Sequence, residues 1–369
     1  MPATQLKRLH PKRPMVKNRS LHAAKATKQD EFYTQLSDIE KEMRHYTGHF
    51  KNKTVFSNCD DPNSSHFFHY FSHNFEKLKL KRLITTCYKN CDANSRHVDQ
   101  RGLYLEYAGD KNNNRVPDPD EIGVHKLKGD GDFRSEECVT LLGGADIVVT
   151  NPPFSLFREY VEQLVKYKKK FIIVGSLNAI TYNDIFKLIR ADKLRLGYGF
   201  QSGNAYFAVP EAGDYAKGVY DEVTGLVKFS NVSWFTNIDI SKRHEDLILY
   251  KTYNSDKYPK YDNYAAIEVA RVEDIPCDYD GVMGVPLTFL EKHNPDQFEI
   301  LGLSGNDDYP MTKKYGKKER VVDGVRMKSN TGTLRAVIRM DSFGAGTHFD
   351  VGYPVKGVYR RLFIRRKKG

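Results

Sequence analysis

Asn151-Pro152-Pro153-Phe154 is a tetrapeptide whose residue types suit a defined chemistry. An exocyclic amino group on a planar ring is a poor nucleophile, because its lone pair is delocalised into the ring. The side-chain carbonyl of Asn151 can accept one N–H of such a group, and the backbone carbonyl of Pro152 can accept the other. Two acceptors out of the ring plane favour a more pyramidal nitrogen and stabilise the charge it acquires during attack. The rigid prolines hold both acceptors in place, and positioning is much of catalysis. Phe154 offers a face on which a base extruded from a duplex can stack. The electrophile expected opposite is the methyl group of S-adenosylmethionine. The plainer alternative is an ordinary strand ended by prolines, so the tetrapeptide counts only in its structural context.

That context is present. Ile147, Val148 and Val149 form a β-branched run ending at Thr150, which predicts a buried strand. Neither proline can donate to a ladder, so the strand stops there. Ser155 opens an apolar-periodic segment with Leu156, Tyr160, Leu164 and Tyr167, which predicts a helix with Ser155 near its N-cap. The tetrapeptide therefore lies at the carboxyl end of a strand, where open α/β sheets bind their ligands.

Longer blocks carry a family resemblance. NPPFSLFREYVEQLVKY, KFIIVGSLNAITYNDIFKLI, YPKYDNYAAIEV and DIPCDYDGVMGVPLTFLEKHNPDQFEILG resemble the EcoRI-type adenine-specific DNA methyltransferases. So do VFSNCDDPNSSHFFHYFSHNF and the closing RRLFIRRK, and the similarity covers most of the chain. It implies N6-adenine methylation of double-stranded DNA with S-adenosylmethionine as donor.

The resemblance also implies a donor site. No G-x-G-x-x-G follows the first predicted strand, Lys53–Cys59. The family shows an NCDDP-type turn there instead, which places the donor at Asn58, Cys59, Asp60 and Asp61. A carboxylate at this turn can accept from the donor's ammonium group, although an aspartate there is also an ordinary helix N-cap. EFYTQ opens a predicted helix over Asp30–Tyr46 and resembles the segment beside the methionine end of the donor, which nominates Tyr33 and Thr34. Asp132 and Phe133 stand where an acidic and an apolar residue typically meet the donor's adenine; a DG turn with a helix cap is the competing reading.

Composition bounds the partners. A net charge of +11, with basic residues gathered at the two ends, fits nucleic acid rather than a free small substrate. Residues 1–29 carry eight lysines and arginines and no acid, which predicts a disordered basic arm. From Ser304 the composition shifts. Lys313, Lys314, Lys317, Lys318 and Arg320 crowd a glycine-bearing loop, and the chain ends in further arginines. These densities suit phosphate contacts. His66, His69 and His73 share a helix face without C-x-x-C partners, so no metal is expected. No apolar run is long enough for a bilayer, and no signal peptide core is present. Five cysteines without framework spacing read as a reducing compartment. A cytoplasmic, DNA-associated protein of prokaryotic or phage type is expected.

The fold expected is α/β. A Rossmann-like S-adenosylmethionine-dependent methyltransferase domain over 30–303 has a mostly parallel sheet with helices on both faces. A small strand-rich, basic target-recognition extension covers 304–369. Further expected elements are strands at Leu80–Tyr88, Gly102–Tyr107 and Val232–Asn237, and a helix over Val285–His293. The Gly197–Asn204 loop is expected to close over the target base, and Trp234 to lie in the core. Double-stranded DNA is the expected partner, with room for a cognate restriction endonuclease, for a chain acting as monomer or weak dimer. The alternatives are methylation of an RNA or protein amino group, or a catalytically silent DNA-binding protein.

Overall fold

The computed structural model describes residues 33–59, 66–87, 101–114, 116–200, 204–209, 218–316, 318–327 and 334–367. The basic arm, Asp60, Asp61 and Lys317 lie outside the described residues.

Eight strands form the central sheet. Their order is β5 (Ile122–Lys126), β4 (Leu103–Tyr107), β3 (Arg82–Cys87), β2 (Thr54–Asn58), β6 (Ile147–Thr150), β7 (Lys170–Ser176), β12 (Val232–Thr236) and β8 (Arg195–Leu196). The four central strands β3, β2, β6 and β7 are parallel. Both flanks are antiparallel. The expectation of a mostly parallel sheet is therefore corrected: parallel pairing is confined to the middle. No helix separates β4 from β5, and without a crossover a strand folds back antiparallel.

Helices cover both faces, as expected. Side chains alternate across a strand. Val55, Leu83, Ile147, Val149, Ile172 and Val174 share a core with α1 (Leu36–Met43), α2 (His66–His73) and α3 (Phe75–Leu78). Phe56, Ile84, Val148, Phe171 and Ile173 share the other core with α4 (Glu136–Gly144), α5 (Phe157–Lys166) and α6 (Asn183–Arg190). Burial on both faces explains why these central strands read as apolar runs rather than alternations. Trp234 is fully buried among the first group.

A four-stranded antiparallel sheet holds β1 (Tyr33–Thr34), β9 (Ala205–Ala208), β11 (Leu226–Phe229) and β10 (Tyr220–Asp221). The helix expected from Asp30 thus begins only at Leu36. Tyr33 and Thr34 instead pair with Ala208 and Phe207. Long-range pairing overrides a helical pattern where an aromatic and a β-branched residue suit a strand.

Another sheet runs β13 (Ile267–Glu268), β14 (Met283–Pro286), β21 (Arg361–Arg366), β15 (Phe298–Leu303). The expected helix over Val285–His293 is corrected to the end of β14 and a 3-10 stretch, Leu287–Glu291. Asn294-Pro295 follows, and the residue before a proline is disfavoured in the helical region. Met283, Val285, Ile300, Leu362 and Ile364 extend the core shared by α5 and α6.

Five C-terminal strands form the last sheet, in the order β17 (Val325–Met327), β16 (Glu319–Val322), β19 (Thr347–Asp350), β20 (Pro354–Val358), β18 (Ala336–Arg339). The final strand leaves it: β21 lies between β14 and β15. Among the described residues no helix is long and apolar enough to cross a membrane.

Candidate active site

The tetrapeptide lies where β6 ends. Thr150 is in register with Ile173 of β7, and Asn151 and Pro152 are buried immediately beyond. Ser155 is not the helix cap. A 3-10 turn, Phe154–Leu156, comes first, and α5 begins at Phe157 with no side-chain cap. The turn is closed instead by Leu156 N donating to Pro153 O at 2.9 Å. The Pro153 carbonyl is thereby used in the turn, and the acceptor assigned to chemistry is that of Pro152.

Neighbouring strand ends gather around it. Thr150 Oγ1 donates to the backbone carbonyl of Asn58, at the end of β2, and the Tyr160 hydroxyl of α5 donates to Asn58 Oδ1. Cys59 then turns the chain with φ of 70°. A non-glycine residue seldom takes this left-handed conformation. Phe133, only 4% exposed, packs edge-on against Tyr160 at 5.0 Å. Asp132 accepts from Arg134 at 2.6 Å, and this bond holds its carboxyl below the usual range. Asn58 and Phe133 are thus both joined to the tetrapeptide's helix through one tyrosine.

Tyr33 and Thr34 come to the site by the other sheet. Thr34 pairs with Phe207, whose ring meets Phe154 edge-on at 6.3 Å. Three buried hydroxyls in the neighbourhood of these strands, Thr34 Oγ1, Ser57 Oγ and Thr86 Oγ1, have no hydrogen-bond partner among the described residues. Buried polar groups are ordinarily satisfied, so each needs an explanation. A bound ligand rich in hydroxyl, ammonium and carboxylate groups supplies one, and in this respect the residues fit S-adenosylmethionine. The register sets Asn58 opposite Thr86 and Ser57 opposite Thr85 across β2 and β3.

A cavity of about 420 Å³ adjoins the tetrapeptide. Its lining includes Phe154, Ser176, Asn178, Tyr182, Lys228 and Phe229. Phe229 meets Phe154 edge-on at 6.1 Å, and Asn231 Nδ2 donates to Asn178 Oδ1 at 2.8 Å at the mouth. Apart from Phe154, sequence reasoning missed these residues. The only local signal was Ser176, which ends β7 and caps the 3-10 stretch Leu177–Thr181.

The basic C-terminal residues divide. Lys314 is exposed, and Lys318 and Arg320 are half-buried. Lys313 lies 3.4 Å from Asp262 and donates to the Tyr353 hydroxyl. Three of the tail arginines are engaged within the protein. Arg361 donates to Glu268 at 2.6 Å, Arg360 to the carbonyl of Thr181 at 3.1 Å, and Arg365 to Glu299 at 2.8 Å. His66, His69 and His73 line one face of α2. Among the described residues no group of three or more metal-ligating side chains is placed to hold an ion.

The family model described as "Adenine-specific methyltransferase EcoRI" matches residues 20–367. The chain belongs to this family. It is an adenine-specific DNA methyltransferase that uses S-adenosylmethionine as its methyl donor. The Type II methyltransferase M.EcoRI of Escherichia coli is 49% identical over 291 residues, covering 77% of this chain and 89% of that protein. The Type II methyltransferase M.MgeORF184P of Mycoplasma genitalium is 36% identical over 328 residues, covering 85% and 93%. M.MpnI of Mycoplasma pneumoniae, also a Type II methyltransferase, is 35% identical over 326 residues, covering 85% and 92%. No solved structure matches significantly.

Proposed function

We propose that the chain methylates N6 of an adenine drawn out of duplex DNA at a specific sequence, in the cavity beside Phe154. The observation that carries this reading is the tetrapeptide at the carboxyl end of β6, with its aromatic ring on the wall of that cavity. Asn151 Oδ1 and Pro152 O accept the two N–H bonds of the amine. They stabilise the positive charge that develops on nitrogen. The amine releases its proton to solvent after transfer, so no buried base is required. Phe154 and Phe229 provide apolar rings for the extruded base. S-adenosylmethionine supplies an electrophilic methyl group. Tyr33, Thr34, Asn58, Cys59, Asp60 and Asp61 hold it, together with Asp132 and Phe133, and Ser57 and Thr86 join them.

The eight-stranded sheet with its helices serves as the Rossmann-like catalytic core. The strands of 304–358 serve as the recognition extension, with β21 as its anchor in the catalytic body. The basic arm of 1–29 tracks phosphates. Type II methyltransferase relatives favour DNA over RNA or protein, and a companion endonuclease in the cytoplasm fits the same reading.

Tritiated methyl transfer to duplexes carrying a paired or a mispaired target adenine tests the reading, with the site first found by modified-adenine sequencing. Wild type methylates both. Phe154→Ala loses more activity on the paired base, because stacking offsets an extrusion cost of a few kcal/mol that is smallest for a mispaired base. Equal losses would assign the ring to packing instead. No transfer to duplex DNA, with transfer to RNA or protein, would overturn the reading.

Lys314 and Lys318 make a separate prediction. Binding falls with salt at a slope of about −0.9 per phosphate contact on duplex DNA. Lys314→Ala with Lys318→Ala flattens that slope by about one unit for each true contact. Lys313→Ala does less, since Asp262 already pairs with its ammonium. Fluorescence anisotropy across a salt series checks this, and a wild-type slope in the double variant would place DNA elsewhere.

A further inference from the structure

Glu42 is a buried carboxylate to which the reaction assigns no task. It sits on α1, at 1% exposure, eight positions beyond Thr34. Three donors converge on it. Tyr198 N donates to Oε1 at 2.9 Å, Gly199 N to Oε2 at 3.1 Å, and the Tyr46 hydroxyl to Oε1 at 2.8 Å. Gly197 permits the approach, since a Cβ there would collide with Glu42 Oε1 and with Trp234 Cβ. The clamped turn leads directly to Phe200, which stacks on Trp234 at 5.6 Å and meets Phe207 at 6.1 Å. Phe207 in turn meets Phe154. A continuous series of contacts therefore runs from Glu42 to the tetrapeptide ring.

We propose that Glu42 is a positioning residue. It fixes the turn after β8 and, through Phe200 and Phe207, sets the aromatic wall against which the target base is captured. The proposal rests on the base-capture reading above. Two backbone N–H groups bonded to two different oxygens require both to accept. Only the ionised carboxylate does so fully, since the protonated acid turns one oxygen into a hydroxyl. Burial pushes the pKa of Glu42 up to about 7, against the pull of its donors. The other ionisable groups around the turn are Tyr46, Tyr198, Lys242 with Nζ 4.9 Å from the Tyr198 ring, and His45 stacked on that ring at 3.4 Å. Burial lowers the pKa of His45. The clamp accordingly tightens as pH rises through about 7.

The test measures kcat and KM for duplex DNA against pH, donor affinity by calorimetry, and fluorescence of 2-aminopurine at the target position. Wild-type kcat/KM rises through neutral pH. Glu42→Gln loses that rise and lowers kcat/KM between about tenfold and a hundredfold, the scale expected of a 1 Å misplacement. The loss falls on DNA KM and on the 2-aminopurine signal, with donor affinity kept. Tyr46→Phe, which removes one donor and leaves the turn in place, moves the midpoint to higher pH. Where Glu42→Gln fails to fold, Tyr46→Phe decides the matter by this shift. An unshifted midpoint in Tyr46→Phe, or a folded Glu42→Gln with the wild-type profile, overturns the proposal. Asn151→Ala, assayed in parallel, separates the two failures. If it stays fully active, the site reading itself falls; if it is inactive while Glu42→Gln matches wild type, only the role of Glu42 falls.

Discussion

Replacing Asn151 by alanine lowers methyl transfer by about a hundredfold or more while leaving S-adenosylmethionine binding close to wild type. Removing one preorganised acceptor of developing charge typically costs that much. Asn151 is 7% exposed at the end of β6, so no bulk water waits beside it to take over the acceptor role at once. The residues proposed to hold the donor come from β1, β2 and the residues just after it, β3 and the segment before α4, so its binding does not depend on the Asn151 amide. Single-turnover transfer to duplex DNA and calorimetry of the donor decide the case together. Wild-type turnover would remove Asn151 from the chemistry. Loss of both transfer and donor binding would make it part of the donor site.

Arg361→Ala destabilises the protein by about 3–5 kcal/mol, the usual cost of leaving one member of a buried ion pair alone. Arg361 and Glu268 have side chains 12% and 7% exposed, and Tyr261 also donates to this carboxylate. The pair lies across the sheet that joins β21 to β14, so its loss loosens the return of the C-terminus. Urea denaturation reads the effect as a lower midpoint at similar slope. Replacing Arg361 by Met with Glu268→Leu and Tyr261→Phe restores most of the stability, because well-packed apolar groups often match a buried pair. Unchanged stability with weakened, salt-sensitive DNA binding would return Arg361 to the role its charge first suggested.

That contrast shows where composition misleads. An arginine-rich tail reads the same whether it meets phosphate or a buried glutamate. The decision rests on Glu268, 93 residues earlier in the chain. Lys313 likewise has partners far off in the chain, Asp262 and Tyr353, although it and Lys314 are both exposed. The helix start was legible to within a residue: Ser155 was expected near the N-cap, and the cap is Leu156, because the proline turn satisfied its own backbone first.

The amino-acid sequence by itself determined the strand into Asn151, its abrupt end, the helix that follows and the family. Each depends on neighbours in the chain: β-branched runs extend, prolines cannot donate, and long blocks of similarity need no coordinates. The tertiary structure alone decided that Thr34 pairs with Phe207, whose ring meets Phe154, that the hydroxyls of Ser57 and Thr86 are buried near the ends of β2 and β3, and that Phe229 walls the cavity. It also decided that Glu42 closes on a turn 156 residues away. These facts depend on which strand lies beside which and in what register. That choice is made by burying two whole faces of a sheet at once, and no window of local sequence carries it.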